Sequence, residues 1–205
     1  MDGLNGATSM LSHTGIAPPS LYTQARQRKY LTPAERAQFI DAAKACPRRD
    51  VGALCLMLAY TGCRISEALA LTASGIDAVS GTVAIFSLKK RGRMIMREIP
   101  APPALFEALQ HGAHLAQLAP QERLWSFCRS RAWRLVKEVM EEGDVARGVH
   151  ATPKGLRHGF GIHAIRCGVP ITLVQRWLGH ASVETTAIYL QAMGTEEREI
   201  AARMW

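Results

Sequence analysis

Paired cysteines, metal-ligand spacings and membrane-length apolar runs are all missing from this chain. Its five cysteines, Cys46, Cys55, Cys63, Cys128 and Cys167, include no CxxC pair and are odd in number, so the sequence proposes neither a disulfide framework nor a zinc site. That usage suits a reducing cytoplasm, which is the expected location. The longest apolar stretch, around Val51 to Tyr60, is interrupted by Gly52 and is about half the length that crosses a bilayer, so it reads as a buried helix. No secretory signal or internal repeat stands out. Acidic residues are short as well: 17 Asp and Glu stand against 25 Lys and Arg, and the net charge of +8 favours a polyanionic partner. Charge alone is weak evidence, because many basic proteins never touch nucleic acid.

What is present fits one globular domain. The chain has 205 residues, 48% of them hydrophobic, enough for one sizeable core and too few for a second full domain. Residues 1–28 are rich in Gly, Ser, Thr and Pro without sustained periodicity, and lead into the basic run Arg26, Arg28 and Lys29. They are expected to form a flexible arm, with the domain proper running over 29–205; a solvated tail without function is the bland alternative.

Thr32-Pro33-Ala34-Glu35 supplies a capping hydroxyl, a proline at the first helical position and a glutamate three residues on, and predicts a helix start. Asp50 is placed to cap the next helix, which runs through Leu54, Leu56, Met57 and Leu58 to the break at Thr61-Gly62. A short helix is expected over Ile65 to Leu71. Then the pattern changes: Thr82 to Phe86 and Met94 to Ile99 are β-prone and flank the basic turn Lys89-Lys90-Arg91-Gly92-Arg93. Helices resume near Pro103 to Leu118, Arg129 to Glu142, Pro153 to Arg166, Pro170 to Leu178 and Ser182 to Gln191. The expected fold is mainly α with a small antiparallel β-sheet.

The chemistry-bearing residues are sparse and ordered. Thr61-Gly62-Cys63-Arg64-Ile65-Ser66-Glu67 places an arginine at a helix entrance, and Thr152-Pro153-Lys154-Gly155-Leu156-Arg157 places a second within a helix. Leu178-Gly179-His180 is a turn from which an imidazole can project, and Tyr189, one of only four tyrosines, follows nine residues later. Seven positions beyond Ser182, it is expected about two helical turns, roughly 10 Å, along the same face. A phenol attacking phosphorus needs positive charge and donors around the non-bridging oxygens, where negative charge builds in the transition state. Two arginines supply both, as rigid forks that stay charged. Each residue also has a bland alternative. Arg64 could simply pair with Glu67, Tyr189 could be a packed core tyrosine with its hydroxyl satisfied, and His158 could be bonded within the domain.

This order of motifs resembles the tyrosine recombinase (phage integrase) family, from roughly Tyr30 to the C-terminus. The resemblance implies that family's catalytic-domain fold and makes Arg64, Arg157, His180 and Tyr189 catalytic, with Glu67 supporting Arg64. It implies that a hairpin lysine protonates the 5′ leaving oxygen; Lys89 is chosen, with Lys90 as the substitute, because alternate strand residues face opposite sides. Lys154 is a departure: the family usually has histidine there, and whether this lysine acts as a base or only binds phosphate stays open. The implied reaction is attack by Tyr189 on a DNA phosphate, giving a 3′-phosphotyrosyl bond and a free 5′ hydroxyl, with no cofactor and no metal. The implied partner is double-stranded DNA, contacted also by Lys90, Arg91, Arg93, Arg26, Arg28 and Lys29, with four protomers assembling on it. The tail over 190–205, in which Ile200 and Met204 share a helical face, is expected to dock into a neighbouring protomer. No separate N-terminal domain is expected, so the chain resembles either compact members such as DNA invertases or a fragment. A lapsed DNA-binding regulator on the same fold, and a type IB topoisomerase, are the alternatives.

Overall fold

The computed structural model describes residues 20–88, 94–145 and 147–192 and the single residue 202. Helix α1 (Pro33–Ala45) starts at the expected capping box: the Thr32 hydroxyl accepts from Glu35 N at 3.2 Å, and the Glu35 carboxylate accepts from Thr32 N at 2.8 Å. Helix α2 (Arg49–Thr61) is apolar on all sides and buried from Val51 to Ala59. A helix with no polar face has to lie inside, and α2 is packed against α1, α4 (Pro103–Gly112), α5 (Arg129–Glu142) and α6 (Pro153–Arg166). Asp50 does not cap it. The N-cap is Arg48, and Asp50 sits in the first turn, paired with Arg48 at 2.8 Å, where its charge still complements the helix dipole.

Helix α2 stops at Gly62, whose φ of +62° is the left-handed conformation that ends helices. A side chain there is also sterically barred, because a Cβ would run into the Phe160 ring of α6. Helix α3 (Ile65–Ala68) follows and is shorter than expected; the chain then continues through turns and a 3-10 turn at Ala73–Gly75. Strands β1 (Ile76–Asp77), β2 (Thr82–Leu88) and β3 (Met94–Pro100) form an antiparallel sheet in that order. Val83 faces Ile99 and Ile85 faces Arg97 across the ladder, and Val83, Ile85 and Ile99 are fully buried. The basic turn between β2 and β3 lies outside the described residues, as does the tail expected to dock in trans.

Helices α5 and α6 have the predicted bounds. Helix α4 ends at Gly112, short of Leu118, because His114 takes a φ of +50° before a 3-10 turn at Leu115–Gln117. Helix α7 (Ile171–Leu178) is followed not by one helix over Ser182–Gln191 but by the short α8 (Glu184–Ala187) and a 3-10 segment, Ile188–Ala192. Val183 is the N-cap of α8, and the Ser182 hydroxyl accepts from Glu184 N at 3.1 Å.

Two apolar clusters meet at α6. Leu156 belongs to the larger one, built on α1 to α5 and the sheet; Phe160, Ile162 and Ile165 belong to the smaller one with Leu21, Val174, Leu178, Ile188 and Tyr189. Residues 20–28 therefore do not belong to a free arm. Leu21 is fully buried, Tyr22 bridges to Arg28, and Arg28 holds the Glu35 carboxylate through both its terminal nitrogens at 2.6 and 2.5 Å. Among the described residues no helix is long and apolar enough to cross a membrane.

The capping box gives a direct stability test. Thr32→Ala removes one acceptor from the first turn of α1, and urea unfolding at pH 7 is expected to show a loss of about 1 kcal/mol. An unchanged midpoint would mean that α1 does not depend on this cap.

Candidate active site

The site starts at the turn between α2 and α3. Thr61 Oγ1 donates to Met57 O at 2.6 Å and accepts from Cys63 N at 3.3 Å, so the chain reverses sharply around Gly62 and delivers Arg64 to the N-cap of α3. The Arg64 side chain is 48% exposed, whereas Arg157 and Arg97 are buried. Glu67 binds it twice: the carboxylate accepts from Arg64 N at 2.8 Å and from Nη1 at 2.9 Å. Arg64 also lines an open cleft of about 840 Å³ with Ser66, Thr72, Phe86 and Gln121.

Glu67, half-buried, also lines this cleft and has further partners. Ser87 Oγ of β2 donates to Oε1 at 2.8 Å, and Arg97 Nη2 of β3 donates to Oε2 at 2.6 Å. Arg97 also donates to Ser87 Oγ and, through Nε, to Trp177 O of α7 at 2.7 Å. One carboxylate thus joins α3, both long strands and the end of α7. Arg97 and Ser87 are functional neighbours that the sequence reading missed. The available signal was the period-2 pattern of β3, which puts Arg97 on the same inward face as Ile99.

Arg157 lies on α6 with 6% exposure and gives Nη1 to Gly62 O at 2.7 Å and Nη2 to Leu178 O at 2.5 Å. Those carbonyls lie two residues before Arg64 and two before His180, so a single guanidinium aligns both neighbours. Burial and the Arg64 charge lower its pKa to about 10, which leaves it charged at neutral pH. Gly179 (φ +66°) turns the chain out of α7. His180 follows; its Nδ1 lies 2.9 Å from Thr186 Oγ1, and its ring lies parallel to that of Tyr189, 6.2 Å between centroids.

Tyr189 sits in the 3-10 segment, not on an α-helix, and is fully buried. Its ring occupies the gap left by Gly161 of α6, where a Cβ would stand 2.5 Å from it. Its hydroxyl lies 3.2 Å from His158 Nδ1. Burial pushes the phenol pKa up to about 12, against the lowering charges of Arg157 and Arg64. The bland alternatives describe these contacts: Arg64 pairs with Glu67, and Tyr189 has a packed ring and a hydroxyl 3.2 Å from His158 Nδ1.

Lys154 is exposed in the first turn of α6, one turn before Arg157. Lys89, Lys90, Arg91 and Arg93 lie outside the described residues. Of the residues expected at the arm's basic end, Arg26 is exposed, Lys29 Nζ reaches Ser20 O at 3.3 Å, and Arg28 is spent internally on Glu35. The guanidinium of Arg28 is committed to the buried Glu35 carboxylate, which gives it a structural role in the fold. Among the described residues no His, Cys, Asp and Glu cluster is arranged to hold a metal ion.

Comparison with known proteins agrees with this geometry. The phage integrase family matches residues 29–195. The chain belongs to that family. It is 33% identical to tyrosine recombinase XerD of Mycobacterium leprae over 159 residues, 72% of this chain and 50% of the relative. With XerD of Corynebacterium glutamicum it shares 30% over 171 residues, 78% of this chain and 54% of the relative. The chain thus spans about half the length of these curated relatives. The crystal structure of XerA recombinase superposes with a TM-score of 0.71 at 27% identity, covering 91% of this chain and 66% of that one. The catalytic domain of bacteriophage HP1 integrase shares the fold, with a TM-score of 0.62 at 18% identity over 86% of this chain and 95% of that one. The fold of this phage integrase family member is that of the tyrosine recombinase catalytic domain.

Glu67 carries a pH prediction. Burial alone would raise its pKa, but the bond from Arg64 N, the Arg97 charge and the bonds from Arg97 and Ser87 outweigh burial and hold it at about 2. The folded value lies below the ordinary 4.5, so the stability this group supplies is complete above about pH 4.5 and is lost as pH falls toward 2. Unfolding free energy measured across that window should decline less steeply in Glu67→Gln than in the native chain. Parallel curves would show that Glu67 is not linked to folding. Arg97→Met, which leaves the Glu67 charge without its buried partner, should cost about 3–5 kcal/mol in the same measurement at pH 7.

Proposed function

We propose that this chain is the catalytic part of a site-specific DNA recombinase that cleaves and rejoins strands through a 3′-phosphotyrosyl intermediate. The observation that carries this reading is the packed unit of Arg157, His180 and Tyr189 directly beside the Arg64 turn. Arg157 fixes both neighbouring turns and keeps N–H groups beyond the two given to carbonyls; Arg64 is the exposed fork over the cleft; His180 stacks on the phenol. In this reading the Tyr189 oxygen attacks phosphorus, Arg64, Arg157 and His180 hold the non-bridging oxygens, and Lys89 gives the leaving 5′ oxygen its proton. Lys154, exposed one turn before Arg157, is the phosphate clamp. Glu67 is a positioning residue for Arg64.

The linkage to tyrosine conserves the energy of the broken ester, so a 5′ hydroxyl from another strand reverses the step without ATP, metal or cofactor. Double-stranded DNA is the proposed partner, with a tetramer exchanging strands in pairs. A mobile element or an inversion switch is the proposed setting. XerH recombinase bound to difH in a post-cleavage complex has the same fold, with a TM-score of 0.71 at 20% identity, covering 89% of this chain and 56% of that one.

One observation favours a second reading, a DNA-binding regulator without catalysis: the Tyr189 side chain is fully buried and its hydroxyl already engaged. Nicked duplexes built from repeats flanking the coding region separate the two. The recombinase reading predicts a denaturation-resistant protein–DNA adduct that disappears in Tyr189→Phe while binding persists. Binding without adduct in the native chain supports the regulator.

A further inference from the structure

Cleavage requires the phenol proton to go somewhere, and few groups near Tyr189 can take it. Arg64 and Arg157 carry guanidinium groups, which serve poorly as bases, and Lys154 is exposed whereas the phenol is buried. Two imidazoles remain. His180 lies face to face with the phenol ring, tilted by 26°, and turns its Nδ1 to Thr186 Oγ1 at 2.9 Å. His158 is different: it stands on α6 immediately after Arg157, with its ring tilted by 59° to that of Tyr189 and its Nδ1 3.2 Å from the hydroxyl itself. The fixed backbone of α6 sets both ends of this contact, because the phenol ring is seated against Gly161, three residues further along the same helix.

The geometry points to His158 as a catalytic residue: its Nδ1 is the unprotonated nitrogen, and it accepts the Tyr189 proton as the phenol oxygen bonds to phosphorus. This inference rests on the strand-cleavage reading above. The O–H bond of Tyr189 breaks, its proton passes to His158 Nδ1, and a bond forms between the phenol oxygen and phosphorus. The bond from phosphorus to the 5′ oxygen breaks, and that oxygen takes a proton from Lys89. On rejoining, the attacking 5′ hydroxyl gives its proton back to Lys89 as its oxygen bonds to phosphorus, the bond from phosphorus to the phenol oxygen breaks, and the imidazolium of His158 returns its proton to that oxygen.

The electrostatics around the pair suit a base that works only with substrate present. Burial, then the charges of Lys154, Arg157 and Lys29, lower the His158 pKa to about 4, so the ring is neutral and able to accept near pH 7. With the phenol near 12, the proton stays on Tyr189 until DNA arrives. A bound phosphodiester places negative charge beside Arg64 and Arg157. That charge counters Arg157, one of the cations that, after burial, disfavour protonation of His158. The same arrangement keeps a buried nucleophile inert away from DNA.

Single-turnover adduct formation on a nicked duplex tests this, using the native chain, His158→Ala and His158→Asn. The asparagine amide keeps a hydrogen-bonding group near the position of Nδ1 but cannot take up the proton. Both variants are expected to bind DNA normally and to form adduct about 10²–10⁴-fold more slowly, with imidazole partly restoring His158→Ala. An adduct rate in His158→Asn equal to the native rate would make the contact positional only and overturn the inference, while leaving the cleavage reading intact. No adduct in the native chain would overturn both. A measurement independent of any variant is the nitrogen NMR spectrum of His158 in the native protein: an unprotonated Nδ1 at pH 7 is expected, and a protonated Nδ1 overturns the assignment.

Discussion

A buried guanidinium tying together the ends of two helices is the interaction on which this domain's site depends. Arg157 takes the carbonyl of Gly62, at the end of α2, and that of Leu178, the last residue of α7. Both are helix C-termini, where the backbone dipoles leave partial negative charge, so two such ends meeting on one cation partly compensate the burial of its charge. Burial and the neighbouring Arg64 lower its pKa to about 10, and the charge survives at neutral pH. Because Arg64 and His180 each begin two residues after a carbonyl held by Arg157, the spacing of the site is set before any substrate is present.

The second constraint is the Glu67 carboxylate. It gathers Arg64, Ser87 and Arg97, and Arg97 reaches on to Trp177 O, so the sheet, α3 and the end of α7 share one hydrogen-bonded unit. Strands β2 and β3 are thereby tied, through Ser87 and Arg97, to the carboxylate that holds Arg64. Tyr189 completes the arrangement from the other side, its ring belonging to the smaller cluster and its hydroxyl turned toward α6.

Much of this was legible in the sequence because it is local. Thr32 and Glu35 announce the start of α1, Thr152-Pro153 announces α6, and the apolar run after Val51 announces the central helix. Arg64, Arg157, His180 and Tyr189 were likewise singled out by motif, since each sits in a short pattern of turn and helix signals. What escaped is nonlocal or competitive. Asp50 looked like a cap, but Arg48 took the N-cap position and claimed its carboxylate. Arg28 looked free in a basic run, but Glu35, brought alongside by Leu21 in its pocket, holds it. Arg97 looked like an ordinary strand residue, since only the fold brings Glu67 to it. Tyr189 was expected on a regular helix, yet the chain tightens into a 3-10 segment as its ring is drawn into the gap at Gly161.

The central claim is that Arg157 serves the fold and the phosphate at once. The most direct measurement is a crystal structure of Tyr189→Phe bound to an uncleaved duplex. One backbone phosphate is expected there, held by Arg64, Arg157 and His180 beside the substituted ring at position 189, with the bonds from Arg157 to Gly62 O and Leu178 O retained. A phosphate bound away from these groups, or an Arg157 that abandons both carbonyls to reach it, would contradict the claim.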